Sequence, residues 1–357
     1  MALLEVTTTQ RIKVRIKRFL AGLAQGLKID RLVERMSPRG VFIFCYHRII
    51  DPTAQNWFVP FIAVSKENLT LHLTYLKANC VLLSLGDALK RIQSGRRLDR
   101  DCAVATFDDG YRDNRSLGAA IFESLGVSPT VFVVTALPEN NQLYWADRLR
   151  FTLYTAKRRA VVSVKGQTVD TSSTGAKLRT LNRLMKKVKA MTPVQREDFL
   201  LELAGALESQ TGGRNDGANG HPRLMLSWAE IRELESFGVD IGAHTHTHEI
   251  LSDLDDSTLK QQLSVSKALI EERTGRPCVH FSYPNGARRD YSSRAIELLR
   301  DCGFESAVSL VFGCNLPGED PYQLKRIPVT LFDGVEDLKL KMLRARLDAI
   351  ARTWWQG

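Results

Sequence analysis

Short apolar runs, each trailed by a segment of helical periodicity, recur along this chain and limit its architecture more than any other feature. Residues 41–46, 103–107 and 130–134 read as buried strands. Helical segments at 64–79 (capped by Ser65), 86–95 and 116–125 alternate with them, with a short strand at 80–84. The rhythm breaks near Arg148. It returns with a helix at 227–237, a strand at 239–243, a helix at 256–274, a strand at 280–282, a helix at 292–302 and a strand at 306–308. Strands separated by helices need crossover connections, which predicts parallel βαβ units and an α/β fold.

The interruption, residues 148–223, is rich in Lys and Arg, with helical stretches at 176–191 and 193–208 and a Gly- and Asn-rich loop at 212–220. We read it as a helical insertion, a lid or small subdomain. Residues 10–36 read as a basic amphipathic helix, with Ile12, Ile16, Phe19, Leu20 and Leu23 at helical spacing. Two readings fit it: a helix on an anionic membrane surface, or one packed on the domain with its charges solvated. The organisation expected is therefore an N-terminal helix (1–40), a main domain (41–333) and a basic C-terminal helix (334–357).

A net charge of +10 attracts polyanions, but no nucleic-acid motif accompanies it, and nucleic acid is not expected as a partner. The six cysteines form no CxxC pair, which argues against a zinc ribbon and for reduced, buried thiols. No apolar stretch reaches 18 residues and no signal peptide is visible. The expectation is a cytoplasmic protein, with peripheral contact to an anionic membrane as the variant reading.

Two polar segments carry the chemistry. Thr106-Phe107-Asp108-Asp109-Gly110-Tyr111-Arg112-Asp113-Asn114 follows one apolar strand, and His244-Thr245-His246-Thr247-His248 follows another. Functional residues on parallel sheets gather at the carboxyl ends of strands, so both segments can face one site. On a helical turn, residues four apart differ by about 40° around the axis, which would aim His244 and His248 the same way. Two imidazoles and one carboxylate suit Zn2+, with a coordination position left for water. Adjacent buried carboxylates repel. A cation relieves this if one aspartate binds it and the other stays free as a base.

With these residues the sequence resembles the polysaccharide deacetylase family, carbohydrate esterase family 4. The Thr-Phe-Asp-Asp-Gly-Tyr and His-Thr-x-Thr-His runs correspond to its two metal-site motifs. The resemblance continues in Cys45-Tyr46-His47-Arg48-Ile49, Ser227-Trp228-Ala229-Glu230-Ile231, Phe281-Ser282-Tyr283-Pro284-Asn285-Gly286 and Lys325-Arg326-Ile327-Pro328. It implies a distorted (β/α) barrel, often seven-stranded, with Asp108 as catalytic base and Asp109, His244 and His248 as ligands of a divalent metal. The backbone N–H of Tyr111 is implied at the oxyanion. The substrate implied is an acetylated sugar or oligosaccharide, and the reaction hydrolysis of its acetyl group.

The sequence departs from the family at two points. Aligned on Pro284, Ser282 stands where many members carry an Arg that orients the base; Arg326 and Arg48 are the candidates to supply that charge. No Leu-x-His run is present for the usual general acid, and His47, ending the first strand, is the candidate. Trp145 and Asp147 are candidates to stack on and bond a sugar, or to anchor the insertion; Tyr283, Pro284 and Arg326 complete the candidate substrate contacts. Trp354-Trp355 reads as packing or as a membrane-interface anchor, and His72 and His221 as ordinary surface or helix residues. The rival readings are a carbohydrate-binding barrel without turnover and a membrane-surface scaffold built on the terminal helices.

Overall fold

Seven parallel strands close on themselves in a computed structural model that describes residues 33, 35–51, 62–139, 142–156, 160–207 and 223–355. They are Val41–Tyr46 (β1), Cys102–Phe107 (β2), Thr130–Val133 (β3), Asp240–Ala243 (β4), His280–Ser282 (β5), Ser306–Phe312 (β6) and Leu324–Pro328 (β7). Each strand neighbours the next in sequence, and β7 pairs with β1 to close the ring. The expected seven-stranded (β/α) barrel is what forms. Helices Lys66–Asn79, Ala119–Leu125, Trp228–Ser236, Asp256–Thr274 and Ser293–Asp301 surround it. Serine or aspartate caps fix several helix starts, including a reciprocal Ser227–Glu230 box.

The distortion lies beside β2. β1 runs along one whole edge of β2. The two-residue strand Val81–Leu82 pairs with Cys102 and Ala103, whereas β3 pairs only with Thr106 and Phe107. The extra strand thus fills the amino-terminal half of the ring and β3 the carboxyl-terminal half. A small parallel pair, Arg48–Ile50 with Ala63–Ser65, extends from the end of β1.

The insertion is more than helical. Helix Trp145–Thr155 opens it, earlier than the sequence suggests, and an antiparallel hairpin, Val161–Val164 with Gln167–Asp170, follows. Lys165 and Gly166 both have positive φ (45° and 71°) at its turn, the geometry of a two-residue hairpin loop. Helices Thr174–Lys189 and Pro193–Ala206 complete it. Leu149, Phe151, Leu184, Phe199 and Leu203 build its own apolar cluster, which continues to Tyr111 and Val134 on the barrel.

Helix Val335–Trp355 packs Leu338, Met342, Ala345 and Ala349 into the main core. Lys341 bonds the Pro328 carbonyl at the end of β7, and Arg346 ion-pairs with Asp101 just before β2, so this helix runs along the outside of the barrel from its carboxyl-terminal toward its amino-terminal end. It serves the fold and is not a free amphipathic surface. Of the N-terminal helix only residues 33, 35 and 36 are described, all helical; the rest of that prediction, the 212–220 loop and His221 lie outside the described residues, as do the side chains of Trp354 and Trp355. His72 is helical as expected but fully buried rather than on the surface, beside the Tyr46 ring. Among the described residues no helix is long and apolar enough to cross a membrane.

Candidate active site

The two-residue alternation of the strands decides what gathers at the mouth. Val41, Ile43, Cys102 and Val104 line the interior with Phe132, Val308 and Leu324, while Phe42, Phe44, Ala103 and Ala105 face the helices. Continued to the carboxyl ends, the same period aims Cys45, Thr106 and Asp108 inward, and Ser282 and Arg326 with them. Arg326 grips Asp108 in a fork: Nη1 donates to Oδ1 and Nη2 to Oδ2, each at 2.7 Å. Its remaining N–H groups donate to the Ser309 carbonyl (2.8 Å), Thr106 Oγ1 (3.2 Å) and Ser282 Oγ (3.0 Å). All five guanidinium donors are spent, so the fully buried cation is neither unpaired nor free to move. Ser282 Oγ donates to Asp108 Oδ1 at 3.3 Å, and Cys45 Sγ lies 3.5 Å from Oδ2. Burial drives the Asp108 carboxyl up, but the charge and hydrogen bonds of Arg326, with smaller contributions from His244 and His47, together outweigh it and hold the group at about 2.

After β2 the chain takes two successive left-handed residues, Asp109 and Gly110, each at φ 74°. This turns the Asp109 side chain away from Asp108 and toward the histidine segment. A side chain on Gly110 would be strained at that φ and would press on Val133. Asp113 and Asn114 then tie the turn to the end of β1. Asp113 accepts from Arg48 Nε and Ile49 N (both 2.8 Å), and Asn114 donates to the His47 carbonyl at 2.8 Å.

The histidine segment is a loop, not the helical turn expected from its spacing. Thr245 and His248 sit at φ 64° and 62°, a conformation costly for a β-branched threonine. The loop is held by bonds that offset this strain. Thr245 Oγ1 accepts from His248 N (2.9 Å), and Gln262 Oε1 accepts from His246 N (3.1 Å) and Thr247 N (2.9 Å). His244 Nδ1 bonds the Ser282 carbonyl at 2.7 Å, which requires the proton on Nδ1 and leaves Nε2 as the nitrogen that faces Asp109.

Nε2 of His244 and Nε2 of His248 each lie 3.3 Å from Asp109 Oδ1, and the three atoms fall within 4.8 Å of one another, all on buried residues. A charge-assisted N–H···O bond closes to about 2.7–2.9 Å. The edge of a tetrahedron around zinc with bonds near 2.0–2.1 Å is roughly 3.3–3.4 Å. The spacing fits a cation held between the three atoms better than it fits direct hydrogen bonds. Burial raises the Asp109 carboxyl, but the two imidazoles outweigh it and hold it well below the usual range.

The other oxygen of Asp109 is taken by a residue the sequence reading did not single out. Tyr144 OH donates to Oδ2 at 3.0 Å, and its ring lies 4.4 Å from that of His248. Behind it Tyr111 OH donates to Asp147 Oδ2 (2.9 Å) and lies 3.3 Å from Tyr144 OH, and Arg150 pairs with Asp147 at 2.7 Å. Burial, reinforced by neighbouring carboxylates, pushes the Tyr144 and Tyr111 hydroxyls far up, so both stay protonated as donors.

Several candidate substrate contacts point elsewhere. Asp147 is fully buried in the tyrosine network, and Trp145 is buried in the insertion's core under the Arg196 guanidinium. Tyr283 faces outward from the barrel, stacks on Tyr291 at 3.9 Å and donates to the Tyr322 carbonyl. Pro284 is buried, and Arg326 is spent on Asp108. A strand end sets the height of a residue in the barrel, not the direction of its side chain, and these directions lead into packed layers. Arg48, the other candidate partner of the base, pairs with Asp113 instead. His47 is half-buried beside Asp108 and Cys45. Its Nδ1 has no partner, and burial lowers its pKa below the ordinary value.

Comparison with known proteins agrees with this architecture. A family model described as polysaccharide deacetylase matches residues 95–307. Among solved structures, the Streptococcus pyogenes deacetylase PplD in complex with acetate superposes with a TM-score of 0.55 at 14% identity, covering 86% of this chain and 99% of that one. IcaB from Ammonifex degensii gives 0.54 at 17% identity, covering 85% and 97%. A de-N-acetylase from Aggregatibacter actinomycetemcomitans gives 0.52 at 14% identity, covering 85% and 99%. At such identities these three speak for the fold. No curated protein matches.

Proposed function

Because this chain belongs to the polysaccharide deacetylase family, we propose that it hydrolyses the acetamido group of N-acetylated sugar units, with zinc held by Asp109, His244 and His248. The observation that carries the proposal is the convergence of these three ligand atoms beside a second carboxylate locked by arginine. A divalent cation held there supplies Lewis acidity toward the acetyl carbonyl and lowers the pKa of water.

The chain's own residues divide the remaining work. Asp108, ionised and oriented by Arg326, accepts the proton of the attacking water. Tyr111 N–H serves the developing oxyanion; the bonds of its bridge to Met225 are made by the flanking Arg112 and Leu226 amides, leaving its own amide for this use. His47, beside Asp108, takes up the proton that Asp108 has accepted from the water and delivers it to the leaving nitrogen. Its imidazole is half-buried beside Asp108, and no hydrogen bond to either carboxylate holds it. We further propose that the substrate is a glycan intermediate assembled in the cytoplasm for the cell surface, a setting in which the six free cysteines stay reduced. The reading as a carbohydrate-binding barrel without turnover rests on a missing arginine and a missing acid motif; the fork of Arg326 on Asp108 speaks against the first ground, and His47 is the residue we propose for the second.

The test is acetate release from N-acetylated chitooligosaccharides and from O-acetylated glycans, before and after chelation and with zinc restored. Release from the N-acetylated series that chelation stops and zinc restores is expected. No release from any acetylated glycan with zinc present sinks the proposal, and release from O-acetylated glycans alone sinks the amide assignment.

Tyr144 makes a smaller prediction. It fixes Oδ2 of Asp109 so that Oδ1 faces the two imidazoles. Tyr144→Phe should weaken zinc binding roughly tenfold, the range for losing a hydrogen bond to a ligand, as read by competition against a chelator. Unchanged affinity would make Tyr144 a packing residue only.

A further inference from the structure

The chain's charge is concentrated in one place. Residues 148–223 hold fifteen Lys and Arg against six Asp and Glu, a net +9 out of the chain's +10. Within them, helix Thr174–Lys189 contains six cations and no acid. Among the described residues of the insertion, Arg148 pairs with Glu197, Arg150 with Asp147, Lys165 with Asp198 and Glu202, and Arg196 with Glu249. The outer face of helix Thr174–Lys189 differs. Arg179, Arg183, Lys186 and Lys187 are exposed and, among the described residues, have no acid within ion-pair distance; Arg183 gives one N–H to the Thr168 carbonyl.

These positions share a helical face, with Arg179, Arg183 and Lys187 spaced by four. Like charges at that spacing destabilise a helix. The macrodipole offsets this for Lys186 and Lys187 near the C-terminus, but not for Arg179 and Arg183 in the middle. With Asn182 the four line a shallow depression of about 460 Å³. The face has no aromatic platform and no deep pocket, so what it offers is charge spread over about 12 Å of helix.

We infer that the Arg179–Arg183–Lys186–Lys187 face docks the protein on an anionic phospholipid membrane. The helix ends at the mouth of the barrel. Lys189, at its last turn, bonds both carboxylate oxygens of Asp290 (3.0 and 2.9 Å), in the segment that follows β5. A bilayer bound by this face lies beside the mouth, where a sugar on a lipid carrier is within reach. The inference rests on charge and exposure and holds whatever acetylated sugar is used.

The experiment is co-sedimentation of the full chain with phosphatidylcholine vesicles, with and without phosphatidylglycerol, beside a variant with all four cations replaced by Gln. Binding to the anionic vesicles only, falling steeply with salt, is expected. Each cation near such a surface is worth roughly fivefold in partition, so the variant should lose on the order of 10²–10³-fold. Its thermal midpoint reports folding; if it fails to fold, Arg183→Gln with Lys187→Gln should lose roughly 20–30-fold by the same per-cation factor. Failure of the parent to bind anionic vesicles overturns the inference. So does undiminished binding by the variants, which would place the contact elsewhere, and so does capture by duplex DNA without capture by vesicles.

Discussion

Arg326→Met is expected to lower kcat on an N-acetylated oligosaccharide by about 10²–10³-fold and to destabilise the fold by roughly 3–5 kcal/mol at neutral pH. Both effects follow from the fork on Asp108. Methionine fills much of the same volume but leaves a buried carboxylate with no counter-charge. In the parent, Asp108 titrates at about 2, below its unfolded value. Its contribution to stability is therefore present above the ordinary carboxylate range and lost as pH falls toward 2. In the variant burial loses its chief opponent, Arg326, and the pKa rises, so the carboxylate destabilises the fold as pH rises past that range. The gap between the two melting temperatures should be widest near neutrality and narrow toward pH 3. A gap that does not change with pH would mean that packing, not charge, is what Arg326 supplies. Asp108→Asn combined with Arg326→Met should restore much of the stability, but not the activity, because both charges leave together.

Asp109→Asn is expected to reduce bound zinc from one equivalent to a trace and deacetylation by at least about 10³-fold. The amide keeps the shape and the contact with Tyr144 but loses the charge that two imidazoles and a cation share. Metal analysis of the purified variant and the thermal shift on adding zinc read this without an assay. A protein that binds zinc shows a midpoint that climbs with metal concentration, and the variant's should stay flat. Full zinc occupancy in the variant would remove Asp109 from the ligand set.

How far the sequence disclosed this site depends on which property of a residue mattered. Chain order and strand-end position were legible: continuous apolar runs marked β1, β2 and β3, and the two polar segments after β2 and β4 meet. Local geometry at the histidines was not. Their spacing suited a helical turn, but Thr245 and His248 adopt left-handed conformations that nothing in threonine or histidine announces. Arg326 was visible as a candidate but hidden in position, because β7 has Lys325 and Arg326 in its middle and lacks a strand's apolar pattern. Once β7 is recognised, the alternation Leu324 in, Lys325 out, Arg326 in is the signal. The hairpin of the insertion escaped for a related reason: its strand residues Val161, Ser163 and Thr168 are exposed and its Lys-Gly turn sits in a basic stretch. Trp145 and Asp147 take the second of their two readings, as anchors of the insertion, whereas Tyr283 lies near the mouth but turns into a packed layer.

The hydrogen bond from Tyr144 to Asp109 has an implication for anyone trimming this molecule. The excursion between β3 and β4 looks dispensable on a sequence diagram, a side loop on a complete ring of strands. Yet its first residues steady the carboxylate of the candidate metal site, and they rest in turn on Asp147 and Arg150. A minimal version pruned of this lobe would keep every ligand and still hold its ion loosely, and redesign of the lobe for new sugars has to leave its root untouched.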